Sequence, residues 1–404
     1  MSAQRTLLVT VTGRDRPGVT SALFDILAAH PVEVVDVEQV VIRGRLVLGV
    51  LVTAPQTEGA LRAELTGVAR ELGMDVEIVS GTGDAPPRAE GRLHVTVIGD
   101  PLRPAAVGAI ATVIASCGAN IDRIVRLSRR PVTSLELDVS GADPAALRTA
   151  LAAEASRRRV DIAVQPSGLH RRTKRLVVMD VDSTLIQGEV IELLAADKGC
   201  ADEVARITTA AMRGEVDFET SLRQRVALLE GLEESAIDKV RSSLKLMPGA
   251  RTLVRVLQRL DHRIGIVSGG FTQITDGLVV ELGLDYAAAN TLEVVGGRLT
   301  GRLLGPIVDR AGKAEALRRF ASDAGVQLSQ TVAIGDGAND LDMIAAAGLG
   351  VAFNAKPAVR EQAHTTVTVP YLDVILLLLG IPRAEVDELV EHSPTWADRV
   401  TERG

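Results

Sequence analysis

One segment constrains the fold and the chemistry of this chain more than any other. An apolar run, Leu176 to Met179, leads directly into Asp180 and Asp182. Consecutive apolar residues predict a buried strand, and acids that follow such a strand lie at the carboxyl edge of an open α/β sheet, where ligands bind. An aspartate there can attack phosphorus, and a second acid can protonate the leaving oxygen. Taken alone, the pattern fits a capped strand-to-helix turn equally well.

Three further motifs follow in chain order. Ser268, Gly269 and Gly270 end an apolar strand and offer a hydroxyl and unhindered N–H groups to phosphate oxygens. Lys313, at the start of a helical pattern, offers a cation that can stabilise a transferring charge. The segment from Gly335 to Asp340 ends a third strand and adds carboxylates that suit Mg²⁺ near a phosphate. Each motif alone is more often a turn or a solvated charge, but chance explains their joint order poorly.

Together these motifs resemble those of the haloacid-dehalogenase-like phosphohydrolase superfamily, over about residues 174–390. Within that superfamily the chain resembles the phosphoserine phosphatases, because Glu189 follows the first motif and residues 218–226 have the pattern Phe-Glu-x-Ser-Leu-x-x-Arg-Val. No catalytic position departs from the family pattern. The resemblance implies Mg²⁺-dependent hydrolysis of O-phospho-L-serine through an aspartyl-phosphate, as the last step of serine biosynthesis.

The resemblance also implies a role for each site residue. Asp180 is the expected nucleophile and Asp182 the expected general acid and base, and Ser268 and Lys313 complete the catalytic set. The expected Mg²⁺ ligands are the Asp180 carboxylate, the Asp182 backbone carbonyl and Asp336, while Asp340 orients the metal's waters or Lys313. The expected substrate contacts are Glu189 to the ammonium, Arg225 to the carboxylate, Phe218 and Met212 as an apolar wall, and Ser268, Gly269, Gly270, Lys313 and Asn339 around the phosphate.

The N-terminal part of the chain contains a tandem repeat. Residues 5–79 and 92–165 each predict the order βαββαβ, which is a ferredoxin-like layout. Both copies resemble the ACT domain, a small regulatory module that binds amino acids. The family's Gly-x-Asp-x-Pro-Gly loop is complete in the first copy. In the second copy no glycine directly precedes the helix, a departure that argues against ligand binding by that copy's own loop.

Candidate effector contacts follow from this loop. Asp15 can pair with an ammonium, and Gly18 and Val19 can bring backbone N–H groups at a helix start close to a carboxylate. Gly108 is the corresponding candidate in the second copy, although it lies inside the predicted helix. The alternative is a strand-to-helix turn that binds nothing. Since ACT modules commonly pair with effectors at the shared interface, the resemblance implies a homodimer and an amino-acid effector such as L-serine.

We therefore predict two ferredoxin-like ACT domains, at residues 1–83 and 88–168, followed by an α/β phosphatase domain at residues 174–404. The phosphatase domain is expected to be a doubly wound parallel sheet, because strands and helices alternate along it. The helical pattern at residues 186–248, inserted between the first two motifs, predicts an α-helical cap.

Composition restricts the partners and the compartment. A formal charge of −7 argues against nucleic acid or an anionic membrane as a partner. The apolar run from Val374 to Leu379 is too short to cross a bilayer. Two distant cysteines and the lack of a leader pattern at the start lead us to expect a cytoplasmic protein.

Two other functions stay open at this stage. The same fold could act on another small phosphomonoester or transfer the phosphoryl group to an alcohol, although a sugar phosphate needs neither Glu189 nor Arg225. Alternatively, the chain could be an amino-acid sensor with a vestigial phosphatase domain, which the complete catalytic motifs argue against.

Overall fold

The structure is a computed structural model that describes residues 5–56, 58–82, 92–168, 173–213, 215–363 and 365–391. The chain divides into two compact units, residues 1–89 and residues 90–404. The N-terminal unit contains the first repeat, and the other unit contains the second repeat together with the α/β domain. Residues 84–87, which separate the two predicted ACT domains, and residues 170–172, before the predicted phosphatase domain, lie outside the described residues.

The first repeat has the predicted order βαββαβ. Its elements are β1 (Arg5–Arg14), α1 (Val19–Ala28), β2 (Val34–Ile42), β3 (Arg45–Thr53), α2 (Glu58–Glu71) and β4 (Asp75–Thr82). The sheet is antiparallel with the order β2-β3-β1-β4. Leu7, Val9 and Val11 alternate along β1 and are buried in the core with residues from both helices, as period-two alternation predicts for a sheet covered on one face.

The second repeat has the same topology. Its elements are β5 (Leu93–Gly99), α3 (Pro104–Ser116), β6 (Asn120–Ser128), β7 (Thr133–Ser140), α4 (Pro144–Arg158) and β8 (Asp161–Pro166), with the sheet order β6-β7-β5-β8. Helix α4 begins after Asp143, whose side chain accepts a hydrogen bond from the Ala146 N–H at 2.8 Å, a normal N-cap arrangement. The predicted repeat of a ferredoxin-like fold is confirmed.

The second repeat packs onto the α/β domain through the outer face and edge of its sheet. Ile98 and Ala163 belong to the main hydrophobic core of the α/β domain. The buried Gln165 side chain donates to the Leu378 carbonyl at 2.8 Å, and Asp161 accepts from the Thr368 N–H at 2.8 Å. Because a shared apolar core and hydrogen bonds both join them, the second repeat and the α/β domain form one compact unit.

The α/β domain contains a seven-stranded sheet. Its strands are β9 (Leu176–Asp180), β10 (Arg263–Phe271), β11 (Tyr286–Val295), β12 (Arg298–Leu304), β13 (Thr331–Gly335), β14 (Leu349–Phe353) and β15 (Thr365–Val367). The order is β12-β11-β10-β9-β13-β14-β15, and the pairs are parallel except for the β11–β12 hairpin. Strand β9 therefore lies between β10 and β13, so the strand ends that carry three of the four motifs are neighbours.

Helices cover the sheet and form the insertion after β9. The helices of the insertion are α5 (Val190–Lys198), α6 (Ala201–Met212), α7 (Phe218–Ala227) and α8 (Ser235–Ser243). The remaining helices are α9 (Ala250–Arg259), α10 (Thr272–Leu282), α11 (Arg310–Asp323), α12 (Leu341–Ala346), α13 (Pro357–Arg360), α14 (Ile375–Leu378) and α15 (Arg383–Glu391). The insertion occupies the predicted cap segment. In the part of the chain that the structure describes, every helix is too short or too polar to span a bilayer.

The cap is fixed at its base and at its side. At the base, Ile186 and Leu246 form an antiparallel bridge, so the chain leaves and re-enters the domain at one place. At the side, the Gly231 N–H donates to the Leu299 carbonyl of β12 at 2.8 Å. The β11–β12 hairpin, which the sequence pattern does not distinguish from the alternating strands and helices, thus supports the cap.

Candidate active site

The first motif ends the central strand and turns sharply. Strand β9 is buried along its length, and Asp180 at its end is 4% exposed. Ser183 then adopts a left-handed conformation with φ of 58°, and its N–H donates to the Gly188 carbonyl at 3.0 Å. A serine in this region carries backbone strain, which is common where a site must be held in one geometry. The turn keeps Asp180 and Asp182 at the same edge of the sheet.

Lys313 joins the first motif to the last. Its Nζ lies 2.5 Å from Asp180 Oδ1 and 2.7 Å from Asp340 Oδ1, and the lysine is fully buried. The other Asp340 oxygen accepts from the Gly337 N–H at 2.9 Å. A Cβ at Gly335 would collide with the Asp340 carboxyl group, so only glycine fits there. The sequence motifs at residues 180, 313 and 335–340 therefore form one hydrogen-bonded group.

This group contains more negative than positive charge. Burial raises the pKa of Asp180, and repulsion by Asp340 raises it further, while Lys313 opposes both effects. Burial and Asp340 together raise the pKa of Asp336 to about 6. Burial alone would lower the pKa of Lys313, but attraction to Asp180 and Asp340 outweighs it and raises that pKa above its usual value.

The same carboxylates can hold a divalent cation. One oxygen from each of Asp180, Asp336 and Asp340 lies within 4.8 Å of the other two. Hard oxygen donors with excess buried negative charge fit Mg²⁺. Both Asp340 oxygens already accept hydrogen bonds, from Lys313 and Gly337, so Asp340 fits the positioning role that the resemblance implied.

The second motif lies against Asp182. Ser268 Oγ donates to Asp182 Oδ2 at 3.2 Å and accepts from the Gly270 N–H at 2.8 Å. The other Asp182 oxygen accepts from the Val190 N–H at 2.8 Å, at the start of α5. Burial raises the pKa of Asp182, although this hydrogen bond from Val190 lowers it. The acid is thus held between the second motif and the first helix of the cap.

The predicted substrate contacts on the cap face the same acids. Burial, reinforced by the charge of Asp182, raises the pKa of Glu189 to about 7. Burial lowers the pKa of Arg225, and attraction to Glu189 and Asp182 opposes this. Arg225 is 9% exposed, and its Nε donates to the Ser221 carbonyl at 3.4 Å. A carboxylate and a guanidinium therefore lie beside Asp182.

Other predicted contacts lie at the same opening. The Phe218 ring would be 3.0 Å from a Cβ atom built on Gly269, and the Asn339 amide nitrogen 4.0 Å from it. Glycine at residue 269 therefore allows the cap to approach the second motif closely. Met212 is the last residue of α6, but its side chain lies outside the described part of the structure.

Two residues that support the site were not predicted. Asn290, which is 1% exposed, donates to the Gly269 carbonyl at 2.8 Å and accepts from the Val308 N–H at 2.8 Å. It connects the second motif to the segment before α11, which carries Lys313. Thr184 Oγ1 donates to Asp336 Oδ1 at 3.0 Å. A lone asparagine after three alanines in β11 was the available signal for Asn290.

The predicted effector residues lie in both units. Gly18 has φ of 95° directly before α1, and Asp15 is exposed on the same loop. Val19 is 2% exposed as a whole residue, and its side chain packs in the core of the first repeat, so that side chain is not available to a ligand. Gly108 lies within α3, and a Cβ there would meet nothing within 4 Å.

Comparisons with known proteins agree with this geometry. Residues 177–345 match the profile of haloacid dehalogenase-like hydrolases, and residues 5–79 and 93–165 match ACT domain profiles. A phosphoserine phosphatase of Streptomyces coelicolor is 64% identical over 97% of this chain and 95% of its own length. The phosphoserine phosphatase SerB2 of Mycobacterium tuberculosis is 54% identical over 96% of each chain. A solved structure of a probable phosphoserine phosphatase from Vibrio cholerae has a TM-score of 0.55 and 33% identity, covering 73% of this chain and 88% of that one.

Proposed function

The chain belongs to the phosphoserine phosphatase family, and we propose that it hydrolyses O-phospho-L-serine to L-serine and phosphate, the last step of serine biosynthesis. The observation that carries this proposal is the buried contact of Lys313 with both Asp180 and Asp340, directly beside Asp182. A nucleophile, a cation and an acid that meet at one sheet edge are the groups that phosphoryl transfer through a carboxylate requires.

Asp180 attacks the phosphorus, the bond to the serine oxygen breaks, and an aspartyl-phosphate forms. Lys313 favours the ionised form of Asp180 and orients it, and it stabilises the charge on the transferring group. Asp340 positions Lys313. A Mg²⁺ ion held by the Asp180 carboxylate, the Asp182 carbonyl and Asp336 would neutralise negative charge and polarise the phosphoryl group.

Asp182 is the proposed general acid in the first step and the general base in the second. Burial raises its pKa, which favours the protonated form that donates to the departing serine oxygen. The resulting carboxylate then takes a proton from the water that attacks the aspartyl-phosphate, so Asp180 is regenerated and phosphate leaves. Ser268 and the Gly269 N–H bind phosphate oxygens through both steps.

Specificity comes from Glu189 and Arg225. The Glu189 carboxylate takes the substrate ammonium, and the Arg225 guanidinium takes the substrate carboxylate through two parallel hydrogen bonds. Phe218 and Met212 close the apolar wall, and Gly270 and Asn339 complete the phosphate side. A sugar phosphate would leave both charged groups without partners, which costs binding energy.

We further propose that the chain forms a homodimer through the edge strand β2. All nine residues of β2 are exposed. Val41 is opposite the buried Leu46 and Val40 is opposite the exposed Val47, so exposed valines lie on both faces of the edge strand. Such an edge favours pairing with another strand, here a second copy. An amino-acid effector such as L-serine would bind near Asp15, Gly18 and Val19 of the first repeat, with Gly108 as the corresponding contact of the second.

The dimer has a direct test. Sedimentation of the full chain should give a dimer, and Val41→Asp should give a monomer. Val280→Asp is the matched control, because Val280 is 84% exposed in the other unit, and it should stay dimeric. A monomeric wild type would contradict the proposal. Cys117 and Cys200 are both free thiols, which fits the cytoplasmic location that we propose.

The enzymatic proposal is tested by phosphate release with Mg²⁺ from L-phosphoserine, phosphothreonine and a sugar phosphate, with and without L-serine. Strong preference for phosphoserine is the expected result, and Asp15→Ala should remove a serine response while keeping the basal rate. No preference among the three substrates would indicate a general phosphatase, and no release from any of them would favour the sensor interpretation.

A further inference from the structure

The second repeat carries three metal-ligating side chains that the proposed reaction does not use. His94 Nδ1 lies 2.7 Å from Asp138 Oδ1 and 3.8 Å from Glu136 Oε1. One ligand atom from each residue lies within 4.8 Å of the other two. The side chain of His94 is 21% exposed, that of Glu136 15% and that of Asp138 36%, so an ion among them would be partly enclosed. We propose that His94, Glu136 and Asp138 bind a divalent transition-metal ion, for which Zn²⁺ has the best-matched chemistry.

Strand pairing holds these residues in position. Strands β5 and β7 are antiparallel, with His94 directly opposite Asp138, while Glu136 is two residues along β7 and therefore on the same face. Leu93 and Val95 face the helices and are buried in the core of the repeat, so His94 projects from the opposite face. Because the sheet fixes all three backbone positions, little reorganisation is needed to bind an ion.

A neighbouring hydroxyl indicates a missing polar partner. Thr96 follows His94 on the same face of β5 and is directly opposite Glu136. It is fully buried, and its Oγ1 has no hydrogen-bond partner among the described residues. A buried hydroxyl of this kind destabilises a fold unless something satisfies it. Water on a metal ion held by His94 and Glu136 would supply that partner. An ion at this site would add to a further interaction that Glu136 already makes.

The ligand set distinguishes this site from the catalytic one. Asp180 and Asp336 offer only hard oxygen, which suits Mg²⁺. One imidazole with two carboxylates suits Zn²⁺ or a similar transition-metal ion, with a position left for water. The ion would cross-link β5 to β7 in the repeat that packs on the α/β domain. The competing explanation is an ion pair between protonated His94 and Asp138 with no metal.

Titration of the whole, metal-stripped chain with Co²⁺ distinguishes a metal site from an ion pair between His94 and Asp138. Excess Mg²⁺ occupies the catalytic carboxylates, and Co²⁺ is followed by its visible d–d absorption, which Zn²⁺ should then displace. We expect one Co²⁺ per chain. His94→Gln should weaken binding by at least about tenfold. Asp336→Asn, at the catalytic edge, should bind Co²⁺ like the wild type.

His30→Gln is the matched control, because His30 faces a single carboxylate, with its Nε2 3.1 Å from Glu64 Oε2. It should also bind Co²⁺ like the wild type. Asp138→Asn should weaken Co²⁺ binding as His94→Gln does. If circular dichroism shows that His94→Gln does not fold, Asp138→Asn becomes the variant that tests metal binding. Lack of Co²⁺ absorption in excess Mg²⁺, or unchanged binding by His94→Gln and Asp138→Asn, would leave only an ion pair and overturn the proposal. Metal binding is read directly, so this result is independent of phosphatase activity.

Discussion

Removing the Arg225 guanidinium tests the specificity of the proposed site most sharply. Arg225 is 9% exposed and lies close enough to Glu189 and Asp182 for their charges to oppose the effect of burial on its pKa. In Arg225→Ala the substrate carboxylate would enter a buried site with no positive partner. Arg225 also lowers the pKa of Glu189, so the variant would hold Glu189 less completely ionised and weaken ammonium binding as well.

The size of the effect follows from the hydrogen bonds that are lost. A hydrogen bond to a charged group contributes about 1.5–3 kcal/mol, and each 1.36 kcal/mol is about a tenfold change. Loss of one such bond should lower kcat/KM for phosphoserine by about 10- to 150-fold, and loss of both parallel bonds by at least that much. Solvent screening should reduce this little, because the guanidinium is buried. An aryl phosphate, which has no carboxylate, should lose much less.

The assay compares kcat/KM for L-phosphoserine and phenyl phosphate in four proteins, namely the wild type, Arg225→Ala, Arg225→Lys and Arg223→Ala. Arg223→Ala is the matched control, because Arg223 lies on the same helix but is exposed and pairs with Glu219 at 2.7 Å. It should behave like the wild type on both substrates. Arg225→Lys should fall between wild type and Arg225→Ala, since an ammonium cannot make two parallel hydrogen bonds. Equal losses on both substrates, or an equal loss in Arg223→Ala, would refute the assignment.

Three further predictions concern charge. Asp180→Asn should abolish turnover while phosphoserine still binds, as seen by single-turnover and binding measurements; normal turnover would exclude Asp180 as nucleophile. Because the Glu189 pKa is about 7, its carboxylate is ionised above that pH, and the ratio of kcat/KM for phosphoserine to kcat/KM for phenyl phosphate should fall as the pH drops through about 7. Glu189→Gln should remove this pH dependence. An unchanged pH dependence in the variant would assign it to another group. Burial raises the pKa of Asp161 to about 6, above its unfolded value, so its charge destabilises the fold above about pH 6 and not below about pH 4. Asp161→Asn should then raise the free energy of unfolding near pH 8 by at most about 3 kcal/mol, seen as a higher melting temperature, and leave both unchanged near pH 4; the opposite pattern would show that the carboxylate stabilises the interface.

Most of the fold could be predicted because its signals are local. Apolar runs and turn residues mark the strands, and a motif that follows such a run must lie at a strand end. The sheet order then brings Asp180 at the end of β9 beside Ser268 in β10 and the glycine turn after β13. Because ligands in open α/β sheets bind at the carboxyl ends of the strands, these motifs also predict where the site lies.

The support of the site could not be predicted in the same way. Asn290 connects Gly269 to Val308, and its role depends on where two separate segments lie in space. Likewise, Ile98 and Ala163 have the alternation of an ordinary sheet face, and nothing local indicates that a second domain covers that face. Such contacts are tertiary, so a pattern of periodicity in one sequence does not contain them.

The charge distribution shows that this sheet edge is arranged for chemistry and not for stability. Asp180, Asp336 and Asp340 share one buried ammonium, and burial raises the pKa of the first two of these acids. A buried charge without a full complement of partners destabilises a fold, and apolar residues of similar volume would pack there at no such cost. A divalent cation, as we propose for this site, would supply the missing positive charge, and the substrate phosphate would complete the set. The rigid surroundings, namely the strained Ser183 turn and the close contact at Gly335, hold these like charges together until that happens.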